Sequence, residues 1–211
     1  DGCSKTSLAP SCSHHHVGIV ACYGGPAHSP TNRTSRFVRT SAEDTVVGMH
    51  TRLTELLEIE HPIMLAGMGG VSYHELVAAV SEAGGIGTFG ASTMGPDELP
   101  LEMAKVRALT AKPFGVDLLT AFAGQVEAGI QAVIDGGARI FVAGLGVPRE
   151  VIDLLHSHNI LVGSMAGKVR HAVAAVASGC DFVVAQGTEA GGHTGTVATM
   201  ALVPQVVDAV G

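Results

Sequence analysis

The residues best placed to do chemistry stand between Asp181 and Gly195, in the stretch DFVVAQGTEAGGHTG. A single imidazole, His193, sits among Gly187, Gly191, Gly192 and Gly195, with the amide of Gln186 and the carboxylate of Glu189 just ahead of it. Histidine changes charge near neutral pH, so on a loop it serves as a general base or acid. Glycine lets backbone N–H groups approach a ligand with no Cβ in the way. The combination suits proton transfer above a bound planar group. The competing reading is a glycine-rich turn with a solvated histidine. Glu189 fits either an orienting role toward His193 or a solvated loop carboxylate.

These residues need a strand to hold them, and Phe182-Val183-Val184-Ala185 reads as one buried on both faces. The same pattern recurs upstream. Pro62 to Met68, Ile86 to Gly90, Pro113 to Leu119, Arg139 to Ala143 and Ile160 to Ser164 are further predicted strands, each followed by a helical pattern. Ser72 with Glu75 forms a candidate capping box, with Leu76, Val77, Val80 and Ala83 as the apolar face behind it. Later helices are predicted from Glu98, over 123–134, from Pro148, over 168–178 and over 202–207. Five repeats between Pro62 and Asp181 give about 24 residues per unit, and strand–helix alternation of this kind builds a parallel sheet. Alternation alone leaves a closed barrel and an open doubly wound sheet both standing. The Gly67-Met68-Gly69-Gly70 run lacks the GxGxxG spacing of a dinucleotide-binding sheet.

Composition narrows the function classes. The 211 residues suffice for one domain with a sizeable core. Apolar residues make up 46%, glycine numbers 28 and tryptophan is absent, a balance suited to strands covered on both faces. A net charge of −7 with no clustered basic stripe argues against nucleic-acid binding. No apolar run approaches the ~18 residues a membrane-spanning helix needs. Cys180 is the lone cysteine of the body and reads as a small core residue. With no disulfide framework, a cytoplasmic location is expected.

Residues 1–48 have a different character, rich in Ser, Thr, Gly, Pro and His with one short apolar patch, Val17 to Ala21. They read as a disordered or non-native leader, packing little on the body. Cys12, His14, His15, His16 and Cys22 match no trusted zinc spacing, so no metal is expected there.

Three segments together carry a resemblance. HPIMLAGMGGVS over 61–72, PFGVDLL over 113–119 and AQGTEAGGHTG over 185–195 resemble the signature segments of the nitronate monooxygenase family, formerly 2-nitropropane dioxygenases. These are FMN-dependent TIM-barrel flavoproteins, with flavin enoyl-acyl-carrier-protein reductases as close relatives. The similarity runs from Met49 to Gly211. It implies a parallel (β/α)8 TIM barrel, here C-terminally truncated to about six β/α units, with reactive groups at the C-terminal strand ends. It implies FMN as cofactor, a nitronate or nitroalkane and O2 as substrates, and His193 as the catalytic base. Gly67, Met68, Asp117, Gln186, Gly191 and Gly192 fall at cofactor-contacting positions. At 117 the family commonly carries asparagine, and a carboxylate cannot donate a hydrogen bond as an amide does. The glycine-rich loops that bind the FMN phosphate in the family follow later strands, so this chain is expected to hold the ring-facing half of the site. A nicotinamide-dependent reductase of an enoyl thioester or quinone, and a non-enzymatic phosphometabolite-binding module, are the alternatives. No pattern in the sequence fixes an oligomeric state.

Overall fold

A computed structural model describes residues 19–21, 49–120, 123–192 and 194–211. The strands are β1 (Ile19–Ala21), β2 (Gly87–Gly90), β3 (Phe114–Leu118), β4 (Ile140–Ala143), β5 (Leu161–Ala166) and β6 (Phe182–Ala185). The helices are α1 (Arg52–Leu57), α2 (His74–Glu82), α3 (Glu98–Leu109), α4 (Ala123–Asp135), α5 (Arg149–Ser157), α6 (Val169–Ser178) and α7 (Thr199–Val210).

Strands β2 to β6 pair in parallel, each with the next in sequence. A doubly wound sheet reverses its strand order at a switch point. Here the order never reverses, and the helices between successive strands make a ring sector. This is part of a (β/α)8 barrel, as expected. The strand expected at 62–68 contributes one parallel bridge, Met64 to Ile86. The rest of that segment is irregular, because its glycines are drawn into a loop held from below by Ser72.

Alternation along the strands divides the core into two layers. Phe89, Phe114, Val116, Leu118, Phe141, Val162 and Val183 face outward onto Met103 and Val106 of α3, Ile152 and Leu155 of α5, and Leu202 and Val206 of α7. Ile140, Val142, Phe182 and Val184 face inward and meet Leu53 and Leu57 of α1, which plugs the lower end. A Cβ at Gly163 would collide with the Phe182 ring, so that glycine makes the space the ring fills. Thr51 caps α1 by accepting from Thr54 N at 3.2 Å.

One further expectation changes. Ser72 does not cap α2; its N-cap is Tyr73, with no side-chain bond. Ser72 is instead fully buried, and its hydroxyl donates to Ala66 O at 3.0 Å while accepting from Met68 N at 3.2 Å. The sheet edge at β6 is covered: β1 pairs antiparallel with it, Val20 opposite Val184. Ile19–Ala21 is the part of the leader that the structure describes. The Cys12, His14, His15, His16 and Cys22 group lies outside the described residues. Among those described, no helix is long and apolar enough to cross a membrane.

Candidate active site

Where β2 to β6 end, their side chains and loops close round a cavity of about 240 Å³. Its apolar wall is Met64, Leu65, Val142, Met165 and Val184, and its polar groups include Thr88, Asp117 and Gln186. Backbone from Gly67, Gly69, Gly144, Gly191 and Gly192 completes it. Small-molecule sites have this character: apolar walls, few polar groups, backbone within reach.

Each element delivers its residue for a physical reason. Thr88 and Asp117 point inward because their neighbours Phe89, Val116 and Leu118 point out to the helices. Gly67 lies directly over Asp117; a Cβ at 67 would collide with the aspartate side chain. This close approach is why the loop there must be glycine. It also shields the carboxylate from water on one side, and burial pushes the Asp117 carboxyl up to about 7. Asp117 keeps partial exposure. That exposure opens onto the cavity it lines, so it coexists with strong desolvation on the protein side.

The loop after β6 is tied down by its own groups. Gln186 Nε2 donates to Gly191 O at 3.3 Å, and Thr188 N donates to Val197 O at 3.0 Å. Glu189 accepts from Thr199 N at 2.8 Å and Thr199 Oγ1 at 2.7 Å, satisfying donors in the first turn of α7. The Thr199 hydrogen bonds hold its carboxyl below the usual range. Glu189 thus anchors the loop to α7, a role that neither reading of the sequence included.

Five of the six expected cofactor-contacting residues therefore stand on one cavity: Gly67, Asp117, Gln186, Gly191 and Gly192. Met68 sits between two wall residues, its N–H held by Ser72 and its carbonyl accepting from Val71 N and Ser72 N. His193 lies outside the described residues; its loop neighbours Gly191 and Gly192 are on the wall. Sequence reading missed Thr88, Met165 and Val184. Their signal is strand alternation, legible only once the inward face of each strand is known.

A second cavity, of about 810 Å³, adjoins the first and shares Gly144, Met165 and Gln186 with it. It runs between the 144–148 turn, α6 and residues 194–196, with Lys168 and His171 at its lip.

The likeness to known proteins agrees with this geometry. A CoA-ester dehydrogenase of Mycobacterium tuberculosis, (3aS,4S,5R,7aS)-5-hydroxy-7a-methyl-1-oxo-octahydro-1H-indene-4-carboxyl-CoA dehydrogenase, is 41% identical over 164 residues, covering 77% of this chain and 45% of the relative. A probable nitronate monooxygenase of Staphylococcus saprophyticus is 34% identical over 206 residues, covering 76% of this chain and 58% of the relative. FabK from Thermotoga maritima superposes with a TM-score of 0.74 at 36% identity, covering 77% of this chain and 52% of that one. The chain spans about half the length of the curated relatives it matches. The family model described as nitronate monooxygenase matches residues 50–129 and 120–211, the same stretch that builds the barrel sector and its cavity, and the chain accordingly belongs to the nitronate monooxygenase family.

Proposed function

We propose that this chain carries the ring-binding part of an FMN-dependent oxidoreductase site that acts on nitronates or nitroalkanes. The observation that carries the reading is the convergence of Gly67, Asp117, Gln186, Gly191 and Gly192 on one cavity at the C-terminal strand ends. The cavity fits a flavin ring in kind. Its long walls are apolar, glycine backbone stands at both sides, and Thr88 Oγ1 is a buried hydroxyl with no partner among the described residues. FMN, when bound, supplies the electron transfer that side chains cannot.

The chain's own residues do the rest. Met64, Val142, Met165 and Val184 line the cavity with apolar surface that would keep water from a bound ring. Gln186 is fixed by its bond to Gly191 and keeps its carbonyl oxygen as an acceptor. His193, on the loop that supplies Gly191 and Gly192, takes a proton from the carbon bearing the nitro group of a neutral nitroalkane. A pre-formed nitronate has already lost that proton and needs no base.

The second reading is a nicotinamide-dependent reductase acting on a thioester or quinone. It is favoured by the 41%-identical relative named for a CoA ester and by the adjoining cavity of about 810 Å³, which offers room for a long substrate arm. Anaerobic mixing separates the two. Bleaching of the flavin by a nitronate, with NADH and NADPH inert, supports the first; rapid bleaching by NADH or NADPH supports the second. Absence of any bound flavin removes both.

A further inference from the structure

Two polar groups on the cavity wall have no partner among the described residues. Thr88 is 1% exposed and its Oγ1 makes no hydrogen bond. The Asp117 carboxyl likewise has none among the described residues. They are neighbours: Thr88 stands opposite Gly115 and Asp117 is two residues further along the same face of β3. An uncompensated carboxylate in such a place costs far more than the neutral acid.

Among the described residues, nothing around Asp117 offsets a charge there. β2 presents Thr88, β4 presents Val142, and the 64–70 loop has no ionisable side chain. Ser92 Oγ accepts from Leu119 N. On the 186–192 loop, Glu189 is engaged by Thr199 and Gln186 Nε2 by Gly191. His193 is the loop's other titratable group and lies outside the described residues.

We propose that Asp117 meets its ligand as a neutral carboxylic acid and, with the Thr88 hydroxyl, donates hydrogen bonds to the acceptor edge of a planar heterocycle. A ring presenting carbonyl oxygen or nitrogen lone pairs to this wall meets two hydroxyl donors. Burial of the carboxyl, which carries it up to about 7, keeps the acid form available at neutral pH. Ionisation above that value removes the donor and sets a negative charge against the ligand's lone pairs. The inference rests on the flavin reading but makes a separate demand of it.

Riboflavin is the probe, since it has the ring and lacks a titrating phosphate. Its affinity for the wild-type protein is expected to fall roughly thirtyfold between about pH 6 and about pH 8.5, following the lost acid fraction. Asp117→Asn keeps a donor at every pH, so its affinity is expected to stay level over that range. Riboflavin binding with no pH dependence, or with the same dependence in Asp117→Asn, overturns the inference and leaves the flavin reading standing. No riboflavin binding at any pH overturns both. A second measurement needs no ligand. The folded chain holds the Asp117 proton to higher pH than the unfolded chain does, so wild-type stability falls as pH rises from about 4 through about 7. The wild-type Tm should therefore drop relative to Asp117→Asn over that window; parallel profiles contradict a buried neutral acid.

Discussion

Thr88 and Asp117 show how a site is assembled from groups that the fold itself does not satisfy. A buried hydroxyl without a partner costs about 1–3 kcal/mol, and Thr88 Oγ1 bears that cost in the ligand-free chain. Thr88→Val keeps the shape and removes the hydroxyl. The expected outcome is a ligand-free protein more stable by about 1 kcal/mol, seen as a Tm higher by about 2–4 °C, together with weaker riboflavin binding. An unchanged or lower Tm would show the hydroxyl satisfied in solution. His193 is tested by its substrates. His193→Asn is expected to lose most turnover on neutral nitroalkanes while retaining flavin and most turnover on pre-formed nitronate. Equal losses on both substrates would remove it from the base role.

At the level of elements, glycine decides where side chains go. Gly163 leaves the inner space of the barrel that the Phe182 ring occupies. Gly163→Ala is expected to destabilise by about 1–3 kcal/mol through overpacking, and a smaller residue at 182 should recover part of it; additive losses in the double variant would deny the contact. Glu102 of α3 is a second joint. Only 5% exposed, it accepts from His74 N at 3.1 Å, His74 Nδ1 at 2.7 Å and Lys105 Nζ at 2.6 Å, pinning the start of α2. Burial opposes its ionisation, and the bonds from Lys105 and His74 more than offset that, holding its carboxyl below the usual range. Its contribution is therefore present above the ordinary carboxylate range and lost as pH falls through its folded value. Glu102→Gln should flatten the acid limb of the Tm profile.

The central strands were legible because Ile140 to Ala143 and Phe182 to Ala185 are buried on both faces, which shows as an unbroken apolar run. Ser72 was misread because its Ser-x-x-Glu spacing also suits a cap, while burial and the Ala66 carbonyl claim its hydroxyl. Thr88 was silent, since one threonine in an apolar strand does not reveal its face until β3 sets the register.

At the scale of the molecule, an in-order parallel sheet with inner and outer layers places every strand end on one side, so a single cavity collects residues 120 positions apart in the chain. The β1 strand bears on the same sheet. It gives β6 an antiparallel partner through Ile19–Ala21, and removing residues 1–48 exposes backbone donors and acceptors along β6. Greater self-association of the shortened protein by light scattering is the expected result; identical behaviour would mean the pairing contributes nothing in solution. The claim on which the rest depends is that this cavity holds a flavin ring. Its most direct test is the visible absorption spectrum of the purified protein titrated with riboflavin, beside a variant whose wall is filled by Gly191→Leu. A perturbed flavin spectrum that saturates with wild-type protein and is lost in the variant is the expected result; an unperturbed spectrum, or equal binding by both, would contradict a flavin-binding cavity.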